Sequence, residues 1–207
     1  MNFRHILAAL AATVLAGIGA ASAQMVSEPR ELIGFNFEDL ETLAADAGWG
    51  SYRADDGTSE VLVITIDGRK LVLWPRACSS EGRCGGLYVF ALVPFQASSA
   101  LTNAFNVKFN PARATIRDGQ VVLDRYLIGD FGVVRGSLWI DLQAQAKMID
   151  DWWEFAEDNR VRATAVSFNP LLAEKWPENE TVSSHFDEIK LSPALLDQVA
   201  AGNGPRD

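Results

Sequence analysis

The chain of 207 residues carries a formal net charge of −9 at pH 7 and is 48% hydrophobic. This length suits one domain with a buried core and a tail. Its acidity excludes nucleic-acid binding, because affinity for nucleic acid comes mostly from neutralising phosphates with Lys and Arg. We therefore expect no nucleic-acid partner.

The first 23 residues resemble a secretory leader. Arg4 precedes an apolar run over residues 6–20, and Ala21-Ser22-Ala23 has the small-x-small pattern that signal peptidase reads. The alternative, an uncleaved membrane anchor, needs about 20 strongly apolar residues, and this run is shorter and rich in Ala and Gly. We expect cleavage between Ala23 and Gln24, export to the periplasm of a bacterial envelope, and no transmembrane segment afterwards.

A short amphipathic helix is predicted after a polar lead-in over residues 24–35. Asn36 can cap its first turn, which carries Glu38 and Asp39 where acids complement the helix dipole. Gly48 is expected to end it. Its apolar residues recur at helical spacing: Phe37, Leu40, Leu43, Ala44 and Ala47.

Strands follow the helix. Residues 61–66 and 71–74 flank Asp67-Gly68, a dipeptide that favours a tight hairpin turn, and residues 87–93 form a third strand. The first strand is almost continuously apolar, as is typical of a central strand with both faces covered.

A second cycle of elements follows. Ser98 or Ser99 can cap a helix that ends before Pro111, and residues 112–117 and 120–126 flank the turn dipeptide Asp118-Gly119. A long helix over residues 134–157 then carries an apolar stripe. The stripe consists of Trp139, Leu142, Ala146, Ile149 and Trp153.

These patterns predict an α+β fold in which helices flank an antiparallel sheet of about five strands, in the order α-βββ-α-ββ-α. We expect this domain to span residues 36–158. Residues 159–207 are predicted to form an extension that lies partly on the domain and is partly disordered, with one short helix after Ser192.

The two cysteines, Cys78 and Cys84, lie between two predicted strands. In an exported protein the expected state is a disulfide, and their spacing is not the C-x-x-C of redox enzymes. A redox-active pair remains an alternative, whereas a metal site is poorly supported because no histidine lies nearby. We expect no catalytic residues, no cofactor and no metal.

Aromatic residues are the other candidates for a binding role. Trp74 ends a strand and Trp152 falls off the main stripe of the long helix, and with Tyr88 and Phe105 they form our candidate binding set. Core packing is the alternative for each. The acids from Asp150 to Asp158 could hold a weak cation site, although such runs are usually solvated.

The chain resembles the YbjN family, also described as putative bacterial sensory transduction regulators, over about residues 37–157. The matching features are Asp67-Gly68-Arg69 with the strand after it, the loop containing Cys78 and Cys84, the run 101–106, the hairpin 113–119 and the closing helix. The resemblance implies a fold similar to type III secretion chaperones, which bind polypeptides, often as dimers, and are not enzymes.

Three functions follow as hypotheses. The first is a non-catalytic module that binds a protein or peptide through a face or edge of its sheet, with a homodimer possible. The second is a redox sensor at Cys78 and Cys84. The third is a carrier of a small ligand or lipid, with a cavity between the long helix and the sheet.

Overall fold

A computed structural model describes residues 26–55, 60–117, 119–163 and 193–205; the predicted leader and most of the predicted extension lie outside these ranges. The elements follow in chain order as β1 (Leu32–Ile33), α1 (Phe37–Asp46), β2 (Gly50–Asp55), β3 (Glu60–Ile66), β4 (Arg69–Cys78), β5 (Cys84–Val93), α2 (Ser99–Lys108), β6 (Arg113–Arg117), β7 (Gln120–Ile128), β8 (Val133–Val134), α3 (Arg135–Ala163) and α4 (Pro193–Ala201). No helix within the described ranges is long and apolar enough to cross a bilayer.

Six strands form one antiparallel sheet in the order β2-β3-β4-β5-β7-β6, and β1 pairs with β8 in a separate ribbon. The predicted α+β class is confirmed. The sheet has one strand more than expected, because β2 is polar, lies at an edge and leaves most of its side chains exposed. A polar edge strand lacks the apolar alternation by which a half-buried strand is recognised.

Two predicted caps and the first predicted hairpin turn agree with the structure, whereas Asp118 of the second predicted turn lies outside the described residues. The Asn36 side chain accepts a hydrogen bond from the Asp39 backbone N–H, and Ser98 caps α2 through the backbone N–H of Leu101. Asp67 and Gly68 both have positive φ angles, of 49° and 78°, as a two-residue type I′ hairpin requires. These local contacts fix where α1, α2 and the β3–β4 hairpin begin.

The first face of the sheet packs against α1, α2 and α3. Its strands contribute aliphatic side chains at alternate positions, and the helices contribute aromatic rings to the same cluster. The Phe105 ring contacts the Trp152 ring edge-on with 5.0 Å between centroids, and both side chains are fully buried. This is the main hydrophobic core.

The buried stripe of α3 differs from the predicted one. Leu138, Leu142, Ile149 and Trp152 are almost fully buried, whereas Trp139 and Trp153 are only partly buried against the core. The helix face that packs on the sheet therefore carries Leu138 and Trp152, and the predicted Trp139 and Trp153 lie at its margin. Trp152 belongs to the core stripe.

The second face of the sheet is covered in part by α4. Leu195, Val199 and Ala200 pack on a second apolar cluster formed by β3, β4, β5 and β7. Just after α4, the side chain of Asn203 is fully buried and donates to the carbonyls of Lys70 and Leu92. It also accepts from the backbone N–H of Lys70. One part of the predicted extension is thus held firmly against the domain.

Candidate functional site

The most distinctive surface of the molecule is the corner where β7 extends past β6. β6 pairs with residues 120–124 of β7, from Arg117 opposite Gln120 to Arg113 opposite Asp124. β5 pairs with β7 further, as far as Ile128 opposite Gly86. The last four residues of β7 therefore have a strand on one side only, among the strands that the structure describes.

The backbone of this overhang faces outward at two residues. The Gly129 N–H donates to the Gly85 carbonyl at 2.9 Å, which makes the neighbouring Ile128 and Gly86 a non-hydrogen-bonded pair. Because antiparallel bonds alternate along a strand, the N–H and C=O groups of Tyr126 and Ile128 both point away from β5. We call residues Tyr126 to Ile128 the β7 edge.

Aromatic side chains cross the second face of the sheet towards this edge. Trp74, Tyr88 and Tyr126 lie directly opposite one another on β4, β5 and β7. The Arg76 guanidinium stacks on the Trp74 ring at 4.0 Å from its centroid. The Tyr126 ring lies over Gly86, where a Cβ atom would overlap it. The row begins buried at Trp74 and ends half-exposed at Tyr126.

A buried carboxylate lies beside this row. Asp124 is 3% exposed and accepts hydrogen bonds from Nε and Nη2 of Arg113 at 3.1 and 3.3 Å. Burial raises the pKa of Asp124, although the Arg113 guanidinium opposes that shift. Burial and the neighbouring Asp124 carboxylate together raise the pKa of Tyr88 well above its usual value. Tyr88 is therefore a neutral phenol at physiological pH.

A cavity of about 660 Å³ opens between the Tyr88–Asp124–Arg113 group and α3. On its far side Nη1 of Arg125 donates to Asp141 of α3 at 3.0 Å. The cavity lies at the start of the β7 edge, and the chain entering β6 forms another of its walls. Its lining includes Tyr88, Asn110, Arg113, Asp124, Arg125 and Tyr126.

The structure divides the four predicted binding residues into two pairs. Trp74 and Tyr88 are neighbours on the second face, and Tyr88 lines the cavity. Phe105 and Trp152 contact each other inside the core on the first face, where no ligand reaches them unless the core opens. Nothing in this placement supports a binding role for Phe105 or Trp152, which stays a prediction.

No family model matches the chain, and no curated protein is significantly similar to it. The resemblance to the YbjN family therefore stays a prediction. The antiparallel sheet with flanking helices agrees with the fold that the resemblance implies, but many unrelated proteins share an α+β architecture and fold does not establish function.

Cys78 and Cys84 form the expected disulfide, at directly opposed positions where β4 ends and β5 begins. Cys78 is exposed and Cys84 is buried at the margin of the core. The bond closes the exposed loop that joins the two central strands. Within the described ranges no three His, Cys, Asp or Glu side chains are grouped as metal ligands would be.

The residues that define this corner were not among the sequence candidates, apart from Tyr88. The site exists because the two strands differ in length: β7 continues for four residues beyond the start of β6. This difference exposes Tyr126 and Ile128 and places them beside Arg113 and Asp124. The sequence does contain a signal: the stretch rich in apolar residues after Asp118-Gly119 extends to Ile128, although Asp124 and Arg125 interrupt it, and it is longer than the stretch before the turn. A hairpin with unequal arms leaves an overhang at the end of its longer arm.

Proposed function

We propose that this protein is a non-catalytic interaction module that binds an extended polypeptide segment along the β7 edge. The observation that carries the proposal is that Tyr126 and Ile128, whose backbone groups point away from β5, are 50% and 73% exposed. An added strand would gain main-chain hydrogen bonds from their backbone groups and apolar contact from their side chains.

Coverage of the remaining sheet supports this location. Helices cover the first face, and α4 covers part of the second. Along β6, the side chain of Asn106 bonds both backbone groups of Ala114, at 2.6 and 2.9 Å, and so occupies that edge at Ala114, the outward-facing residue nearer the β7 edge. Ile116, further along β6, also faces outward and is exposed. The opposite edge strand, β2, carries Arg53, which pairs with Glu41 and Glu60. Charged edge strands resist pairing with other chains.

Further apolar groups adjoin the β7 edge. Phe131, three residues beyond Ile128, is 95% exposed, and Leu32 and Val134 are exposed partners in the β1–β8 ribbon. The Leu32 side chain lies beside Gly132, where an added Cβ atom would touch it, and Gly132 follows Phe131 in the chain. Large exposed apolar side chains that are neighbours in this way are typical of protein interaction surfaces.

The test removes one edge hydrogen bond without changing the bonds within the sheet. Ile128→Pro eliminates an N–H that points away from β5, and proline is tolerated on an edge strand; Ile128→Ala is the matched control, since it also loses the side chain but keeps the N–H. Peptides selected from a random displayed library against the full chain serve as probes. We expect Ile128→Pro to bind them at least about tenfold more weakly than Ile128→Ala. Equal affinity of the two variants would contradict edge pairing.

A second candidate function, binding of a small polar ligand, is favoured by the 660 Å³ cavity itself. Its size lies within the range of ordinary ligand sites. Native mass spectrometry of the purified full chain would show a co-purified small molecule that is lost on Ala144→Phe, which adds a ring to the α3 wall of the cavity. A spectrum with the protein mass alone would count against this candidate.

We further propose that the protein works after export, as the leader-like first 23 residues and the Cys78–Cys84 disulfide suggest. Membership of the YbjN family and the formation of a homodimer belong to the same proposal. Cell fractionation with N-terminal sequencing would test export: the expected product is periplasmic and begins at Gln24. A cytoplasmic product that keeps residues 1–23 would contradict it.

A further inference from the structure

We infer that the segment bound at the β7 edge is the carboxyl terminus of a partner polypeptide, with its terminal carboxylate between the guanidiniums of Arg113 and Arg125. The inference rests on the proposed function and names the class of ligand that this edge takes. Three features of the corner point to a carboxyl terminus: where the edge stops, which direction an added strand runs, and which charge is exposed at its end.

The edge stops after a few residues. β6 occupies the same side of β7 from Asp124 back to Gln120, and the chain entering β6 passes through Pro111 and Ala112 at the wall of the cavity. A strand laid beside Tyr126 and Ile128 therefore runs into this wall and cannot continue along β7. The cavity at that point has room for a chain end, so a terminus fits where a continuous strand does not.

The direction of pairing selects the carboxyl terminus. Every pairing in the main sheet is antiparallel. A strand added antiparallel to β7 runs in the same direction as β6, so its amino end lies near Ile128 and its carboxyl end points at Arg113. A parallel strand would instead bring a terminal ammonium to the same place.

The charge exposed at that place is positive. In the Arg113–Asp124 pair the guanidinium is 58% exposed and the carboxylate 3%, so an incoming group meets the cation. Arg125 lies at the same cavity and is 36% exposed, with Asp141 at similar exposure. A carboxylate there accepts charge-assisted hydrogen bonds from a guanidinium, whereas an ammonium would be repelled by it.

The experiment compares chain ends directly. Two libraries of otherwise equivalent random peptides are displayed on phage, one with free carboxyl termini and one with the carboxyl end fused to the coat protein, and both are selected against the full chain. We expect binders from the first library. As synthetic peptides, these should bind at least about tenfold more tightly as free acids than as C-terminal amides.

Protein variants locate the carboxylate. Arg125→Gln should lower affinity for the free acid several-fold and leave affinity for the amide almost unchanged. Arg53→Gln, on the opposite edge strand β2, is the control and should change neither, since Arg53 is similarly exposed and is also paired with acids. Arg113→Gln should act like Arg125→Gln, but it also leaves buried Asp124 without its cation, so Arg125 provides the cleaner measurement.

The outcomes separate this inference from the function on which it rests. Equal affinity of acid and amide peptides for a site that Ile128→Pro weakens would overturn the carboxyl-terminus inference alone. Binders that are insensitive to Ile128→Pro, or no binders from either library, would overturn both. An acid preference that Arg125→Gln and Arg113→Gln leave intact would place the carboxylate elsewhere and also overturn the inference.

Discussion

Individual buried polar residues attach segments to the domain whose position the apolar pattern of the sequence does not predict. Asn203 is the clearest case, since one side chain joins the chain after α4 to the start of β4 and the end of β5. Its own carbonyl accepts a hydrogen bond from the Trp153 indole N–H at 2.8 Å. Arg69, also buried, binds both Asp150 and the carbonyl of Gly204.

Asn203→Ala should destabilise the protein by about 2–3 kcal/mol, because three backbone groups lose their partner inside the structure. Urea unfolding of the full chain measures the loss. Asn103→Ala, at an exposed position on α2, is the matched control and should change stability by less than about 0.5 kcal/mol. Equal stability of the two variants would show that α4 is not held by Asn203.

Asp124 predicts a pH effect of defined sign. Its pKa is raised in the folded protein, so between the unfolded and folded pKa values the folded state binds more protons and stability falls as pH rises. Asp124→Asn removes this titration and keeps an acceptor for Arg113. The unfolding free energy of wild type minus that of the variant should therefore fall as pH increases from about 4 towards neutrality. A difference that is constant or increases with pH would contradict the burial argument.

Some helices and strands could be predicted from the sequence and others could not. The buried elements carry an apolar pattern that can be recognised, and the exposed ones do not. β3 and β5 are apolar on both faces because helices pack on both, and α1 and α2 have capping residues in contact with their first turns. These were predictable. β2 is exposed and the β1–β8 ribbon has two residues per strand, so neither has a detectable period.

The site was less predictable than the elements around it. Tyr88 was a candidate from its strand, but Asp124, Arg125 and Tyr126 form a site only through the register of β7 against two neighbours. Register and strand overhang are tertiary properties, set by which partner strand stops first. The stripe of α3 shifted for the same reason, since contact with the sheet decides which helix face is buried.

The disulfide is a property of the β4–β5 connection, and its contribution can be measured there. Replacing Cys78 and Cys84 by Ser should destabilise the protein by about 2 kcal/mol, as expected when a short loop is no longer closed in the unfolded state. Reduced wild type should match the double variant, and Ser79→Ala in the same loop should match oxidised wild type. Loss of peptide binding by the double variant at unchanged stability would instead favour the redox hypothesis.

At the scale of the whole molecule, packing and side-chain contacts already occupy much of the sheet that the structure describes. Three helices pack on one face and α4 covers part of the other, Asn106 bonds β6 at Ala114, and β2 carries a paired arginine. The β7 edge differs from these surfaces because outward backbone groups, exposed apolar side chains and an adjoining cavity coincide there. This coincidence leads to the central claim that the edge is where a partner strand adds.

Amide hydrogen exchange of the full chain, with and without a peptide selected for binding, tests that claim most directly. In the free protein the amides of Tyr126 and Ile128 should exchange much faster than those of Arg125 and Leu127, which bond to β5. Saturating peptide should slow exchange at Tyr126 and Ile128 by at least about tenfold. Protection that appears along β2 or on the second face of the sheet, with these two amides unchanged, would contradict the account.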